Sequence, residues 1–232
     1  MIQKERRESI ALDETNKRIT SLKLQSHNHQ RVNVFLDGEF AFGISKVLAS
    51  NLYIGEEINA EQISQLLAED EYEVGIQNSI RFIHYQPRTE TEIQRKLEQQ
   101  KLGEETILKV VSRLKEIGLI DDKKYAQSWV ENHITNRPRS RRALAYELRQ
   151  RGIDPQIIDE VTKPINDDEM AYRVALKQSR KLGKMGKEVF LQKMYRHLSQ
   201  RGFNYEVSRS AISQVIKDIY DTDQLEKNEV FL

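Results

Sequence analysis

Apolar residues change their period once along this chain. Between Ile19 and Ile58 they tend to alternate with polar ones, the period of a half-buried strand. Ile19, Leu22 and Leu24 open the region, and Arg31-Val32-Asn33-Val34-Phe35-Leu36 alternates. Asp37-Gly38 is a favoured two-residue hairpin turn, and Glu39-Phe40-Ala41-Phe42-Gly43 alternates again. A short helix near Ser45–Ser50 and a short strand within Tyr53–Ile58 complete the expectation of a small β-hairpin module over residues 19–58. Before it, residues 1–18 are charged and carry too little apolar material to pack, which predicts a mobile arm.

From Asn59 onward apolar residues recur at helical spacing, and Gly, Pro and Asp interrupt them at short intervals. The interruptions are periodic. Pro87-Arg88-Thr89 returns 51 residues later as Pro138-Arg139-Ser140, with Ile93 falling on Leu144 and Leu97 on Leu148. A shift of 50 then carries Leu148-Arg149-Gln150-Arg151-Gly152-Ile153 onto Leu198-Ser199-Gln200-Arg201-Gly202-Phe203, and Leu144 onto Met194. In each unit a first helix ends near Pro or in a basic stretch, and a Thr or Ser caps the second. Gly, or Lys101-Leu102-Gly103, stops that second helix before a third begins. Asp154-Pro155 is a strong helix start. The expected fold is mostly α. A connecting helix over 59–70 leads into three-helix repeats at 71–121, 122–166 and 167–220, followed by a tail over 221–232. Units this small must stack to bury a face, which predicts an elongated, curved rod.

Composition fits that shape: 38% apolar and 31% charged residues suit a chain with much surface. There is no cysteine, so disulfides and thiolate metal sites are excluded. The first residues lack the apolar core of a signal peptide, and no apolar run approaches the roughly 20 residues that cross a bilayer. A cytoplasmic protein is expected.

Net charge is only +1, but its distribution is uneven. Between Ile134 and Gly152, Arg137, Arg139, Arg141, Arg142, Arg149 and Arg151 face a single acid, Glu147. Between Ala171 and Gly202, Arg173, Lys177, Arg180, Lys181, Lys184, Lys187, Lys193, Arg196 and Arg201 face only Glu188. These residues, Lys193 apart, are the candidate surface for nucleic acid or a nucleoprotein filament. Phosphates along a polymer suit such a surface, and no base-reading helix is evident, so sequence-independent contact is expected.

Catalytic and metal patterns fail one by one. Gly183-Lys184-Met185-Gly186-Lys187-Glu188 lacks the phosphate-loop spacing and joins two helices. His27-Asn28-His29 is a weak ligand set in a hairpin loop. Asp121-Asp122 and Asp167-Asp168-Glu169 sit where helices begin and read as capping acids. Tyr125, Trp129 and His133 share a helix face and read as core. No enzyme activity and no cofactor are expected.

Several strings in this region resemble the RecX family of RecA regulators. They are Arg113-Leu114-Lys115-Glu116-Ile117-Gly118-Leu119-Ile120-Asp121-Asp122-Lys123-Lys124-Tyr125-Ala126, Tyr85-Gln86-Pro87-Arg88-Thr89-Glu90-Thr91-Glu92-Ile93-Gln94-Arg95-Lys96-Leu97, and Glu147-Leu148-Arg149-Gln150-Arg151-Gly152-Ile153. Arg201-Gly202-Phe203-Asn204-Tyr205-Glu206-Val207 is similar to the family's last repeat, and residues 19–58 to the extra N-terminal region of its longer members. The resemblance implies a non-enzymatic modulator of RecA, usually an inhibitor, acting in recombination, DNA repair and the SOS response. Such a protein lies in the groove of the RecA–DNA filament and alters filament assembly, ATP hydrolysis and strand exchange. The partners implied are RecA, as filament and as monomer, and single- and double-stranded DNA without sequence preference; a monomer with no membrane contact is expected. Two other classes stay open: a DNA-binding protein acting without RecA, and a helical-repeat scaffold that binds protein only.

Overall fold

The computed structural model describes residues 16–182 and 186–229. The expected arm over 1–18 lies outside these residues except at its end, where Lys17 and Arg18 already belong to the first strand. Four strands, β1 (Lys17–Leu24), β2 (Arg31–Leu36), β3 (Glu39–Ser45) and β4 (Glu57–Ile58), form one antiparallel sheet in the order β3-β2-β1-β4. Asp37 and Gly38, at φ of 50° and 89°, make the turn between β2 and β3, so Leu36 faces Glu39. The alternation of β2 is realised in burial: Val32, Val34 and Leu36 face the core. Ser45 caps the short helix α1 (Lys46–Ala49).

Helix α2 (Ala60–Tyr85) opens on a capping box between Asn59 and Gln62 and runs unbroken through the expected boundary at residues 70 and 71. Ile63 packs it onto the sheet core, and Asp70 clasps it there. The Asp70 carboxylate, 3% exposed, accepts from both Arg31 guanidinium nitrogens at 3.2 and 2.8 Å and from the Ser45 amide at 2.7 Å. The remaining helices are α3 (Glu90–Gln99), α4 (Glu104–Glu116), α5 (Asp122–Asn136), α6 (Arg141–Gln150), α7 (Pro155–Thr162), α8 (Asp167–Leu182), α9 (Lys187–Ser199) and α10 (Tyr205–Glu229). The protein is therefore mostly helical, with one small N-terminal sheet.

The repeats are visible in the burial. Ile93, Leu97, Leu144, Leu148, Met194 and Leu198, the positions paired by the 51- and 50-residue shifts, are all fully buried. Each middle helix also ends alike. The amides of Leu102, Ile153 and Phe203 bond back to the carbonyls of Leu97, Leu148 and Leu198 at 3.3, 3.2 and 3.3 Å. The residue before each takes the left-handed conformation, at φ of 63°, 79° and 86°. In the first repeat that residue is Lys101, the first residue of the Lys101-Leu102-Gly103 stop, while Gly103 caps the start of α4. Thr89 and Ser140 cap α3 and α6 with their hydroxyls, whereas α9 starts at Gly186 with no side-chain cap.

Two compact units are present. The first holds the sheet, α1, α2 and Ile93–Leu119; the second holds Pro87–Glu92 and everything from Ile120. Two apolar clusters stand out among the described residues of the second unit. One is built on Ala126, Val130, Leu148, Ile153 and Ile158, the other on α8, α9 and α10 around Ala175, Met194 and Leu198, and Ile134 and Ile165 pack against both.

Candidate nucleic-acid interface

Within the second unit one structural joint occurs twice. In the first, buried Thr89 donates its hydroxyl to the Arg151 carbonyl at 2.7 Å, and Asp122 accepts from the Glu90 amide at 2.9 Å. In the second, the Ser140 amide donates to the Arg201 carbonyl at 3.0 Å, and Asp167 accepts from the Arg141 amide at 2.7 Å. The sequence had suggested that these aspartates cap the helices they begin. Instead Asp122 and Asp167 cap the middle helix of the preceding repeat, α3 and α6, while Asp121 caps its own helix through Lys124. Helix N-termini leave amides unsatisfied, and an acid brought in by packing satisfies them as well as a local one.

The joints position the basic residues, and they sort them. Arg139 is bonded to Glu147. Arg141 reaches Asp159 at 2.9 Å. Arg151 lies 4.0 Å over the Trp129 ring and 3.6 Å from Glu92. Trp129 in turn stacks on Tyr125 and lies 4.6 Å from the His133 ring, so all three side chains form an aromatic ladder beside the apolar cluster. Three of the candidate cations are thus engaged within the protein.

A second group converges. Arg137, from the end of α5, Arg173, Lys177 and Lys181, one turn apart on α8, and Arg201, just after α9, line a single pocket of about 500 Å³. Thr135, Asn136, Pro138, Val174, Gln178 and His197 complete the lining, which among the described residues includes no acid. Spacings of four residues put Arg173, Lys177 and Lys181 on one side of α8, while Arg180, between them in sequence, is exposed outside the pocket. Arg142, Arg149, Lys187 and Arg196 are exposed elsewhere, and Lys184 lies outside the described residues. The connector Gly183-Lys184-Met185-Gly186 does join two helices, α8 and α9, and only Gly186 of it is described.

Burial and like charge act on two groups of the pocket. Its His197 is held below the ordinary histidine pKa by burial, then by the Arg201 guanidinium and by Lys181. Arg201, 3.5 Å from His197 Nδ1, is itself pushed down by burial and by neighbouring Arg139. Single-residue charge reading missed His197. The signal that finds it is the 50-residue shift, which lays His197 on Glu147. Among the described residues no group of three or more His, Asp and Glu side chains is placed to hold a metal, and no helix is long and apolar enough to cross a membrane.

Comparison with known proteins agrees with the repeat assignment. Family models described as the regulatory protein RecX N-terminal domain and the first, second and third three-helix domains of RecX match residues 17–59, 77–114, 121–161 and 166–212. The chain is 30% identical over 213 residues to the regulatory protein RecX of Clostridium beijerinckii, covering 89% of this chain and 97% of that one. It is 29% identical over 212 residues to the same-named protein of Clostridium botulinum, covering 88% and 99%. A crystal structure of regulatory protein RecX superposes with a TM-score of 0.60 at 28% identity, covering 87% of this chain and 99% of the other.

Proposed function

Because the chain belongs to the RecX family, we propose that it is a non-enzymatic modulator of the RecA recombinase, binding the RecA–DNA filament and lowering its activity. One observation supports this reading above the rest: five cations drawn from one helix and two connections meet in one pocket whose described lining holds no acid. Such convergence suits the closely spaced phosphates of a nucleoprotein filament. A modulator of this kind needs differential affinity for filament states and no chemistry of its own. A scaffold that binds only protein uses the clustered charge only if its partner is acidic. Nucleic-acid binding independent of RecA uses the same pocket and separates from the main reading by its indifference to RecA.

The test is RecA's DNA-dependent ATP hydrolysis and strand exchange, measured with the cognate RecA across a range of concentrations of this protein. Both activities should fall. Alanine at Arg173, Lys177, Arg180 and Lys181 together should weaken the effect while circular dichroism stays unchanged, since exposed charges each contribute about 0–1 kcal/mol to stability. Unchanged RecA activity with the wild-type chain sinks the proposal. Equal action by the variant leaves RecA modulation standing and removes the basic pocket from its mechanism.

A further inference from the structure

The twin joints of the second unit are not chemically equal. At the first, the Arg151 guanidinium is covered by the Trp129 ring and faces Glu92. Laying the second joint on the first pairs Arg151 with Arg201, Glu92 with Ala143, and Glu147 with His197. On the first helix of each repeat, Asp122 pairs with Asp167. The same register puts Ser128, Trp129, Asn132 and Asn136 on Arg173, Val174, Lys177 and Lys181. So where the first joint has a large ring, a carboxylate against its arginine and neutral polar side chains, the second has a small side chain, no acid in the described pocket lining and three added cations. Val174, 4% exposed, forms a low apolar floor where Trp129 fills the corresponding place. The arginine kept at both joints is used internally at the first and faces an open pocket at the second.

From this contrast we infer that the second joint is a phosphate seat: Arg201, Arg173, Arg137, Lys177 and Lys181 bind a phosphate group whose negative charge they jointly require. Guanidinium forks match phosphate oxygens two at a time, and lysines add charge at the rim. The shared chemistry is phosphate, supplied either by a nucleic-acid strand or by a free polyphosphate. The strand source rests on the nucleic-acid contact proposed above, and the seat itself does not.

Titration calorimetry with inorganic pyrophosphate, and anisotropy with a labelled oligothymidylate, test the two sources on the full chain. The informative variant is Ala143→Glu, which restores the carboxylate of the first joint. It has reason to fold well. Position 143 lies in the first turn of α6 beside the Ser140 cap, as Glu92 lies beside Thr89 in α3, and an acid in the first turn favours the helix dipole. Both ligands should bind about tenfold more weakly to it, an acid placed beside Arg201 being worth about that much near a protein surface. Lys177→Gln with Lys181→Gln should weaken both as well. Lys163→Gln with Arg209→Gln, which removes equal charge from exposed sites outside the pocket, should cost less than about twofold at physiological salt.

Pyrophosphate binding without oligothymidylate binding supports the seat and removes the strand as its source. Oligothymidylate binding that is equally strong in wild type and Ala143→Glu overturns the seat while leaving nucleic-acid binding intact. Equal losses in the two lysine and control pairs overturn it too, in favour of a diffuse field. Binding of neither ligand to wild type overturns it and leaves the pocket to the carboxylates of a partner protein.

Discussion

Replacing Gly152 with alanine probes how the first joint is held. Gly152 sits at φ +79°, and a Cβ built there falls 2.1 Å from Thr91 Oγ1, 2.4 Å from its Cβ and 2.7 Å from its Cγ2. Two costs add. The left-handed conformation costs alanine about 1–2 kcal/mol. The new methyl then drives Thr91 away, loosening its 3.3 Å bond to the Gly152 carbonyl and straining the neighbouring 2.7 Å bond from buried Thr89 to the Arg151 carbonyl. A buried hydrogen bond broken on one side costs about 1–3 kcal/mol, so the whole substitution should cost about 3–4 kcal/mol. Thr91→Gly removes all three clashing atoms, and in that background Gly152→Ala should cost only the conformational part, about 1–2 kcal/mol. The coupling between the two changes is therefore about 2 kcal/mol, read by urea unfolding followed through Trp129, the only tryptophan and a neighbour of this joint. A coupling under about 0.5 kcal/mol, the usual scatter for independent sites, would falsify the close fit of Thr91 on Gly152 as the feature that makes this joint.

Two further outcomes follow from the same reasoning. Asp70→Ala leaves the Arg31 guanidinium half-enclosed and the Ser45 amide unmet, and should destabilise the sheet-bearing unit by about 3 kcal/mol in thermal unfolding followed by circular dichroism; a loss under about 1 kcal/mol means that α2 is held by apolar packing alone. His197 gives the pocket a pH signature with two opposite signs. The charged groups that act on it are Arg201 beyond α9 and Lys181 on α8, and the other charged residues that line its pocket, Arg137, Arg173 and Lys177, are cationic too. Because the folded pKa is lowered, the free protein keeps its full stability above the ordinary histidine range and loses some as pH falls through it toward the folded value. A bound phosphate reverses the bias and favours the imidazolium, so oligothymidylate affinity should rise as pH falls from about 7.5 to about 5.5, bracketing the free histidine value. A flat profile, or one unchanged by His197→Gln, refutes the placement of His197 against the ligand.

How much of this was legible in the sequence depends on the reach of each interaction. The strand alternation of Val32, Val34 and Leu36, the Asp37-Gly38 turn and the Asp154-Pro155 start act over a few residues, and a reading at short range finds them. The repeat was equally open to inspection, because stacking demands the same buried positions each time, and Leu97, Leu148 and Leu198 are all fully enclosed. Lys101 was harder to see, since the left-handed turn falls on a lysine where its two counterparts are glycine.

What the sequence by itself determined is the period, the helix content and the total of positive charge in two acid-poor stretches. Only the tertiary structure decided what each charge does. Arg139, Arg141 and Arg151 looked as available as Arg137, Arg173 and Arg201, yet acids at Glu147, Asp159 and Glu92 engage the first three. Asp122 and Asp167 likewise serve helices that begin more than twenty residues before them. The physical reason is range. Helical period fixes which side chains share a face, but pairing energy falls with distance and grows with burial, and both are set by how one repeat lies on the next. Two joints built on the same pattern can therefore differ in function by one ring and one carboxylate: Trp129 and Glu92 close the first, and Val174 and Ala143 leave the second open.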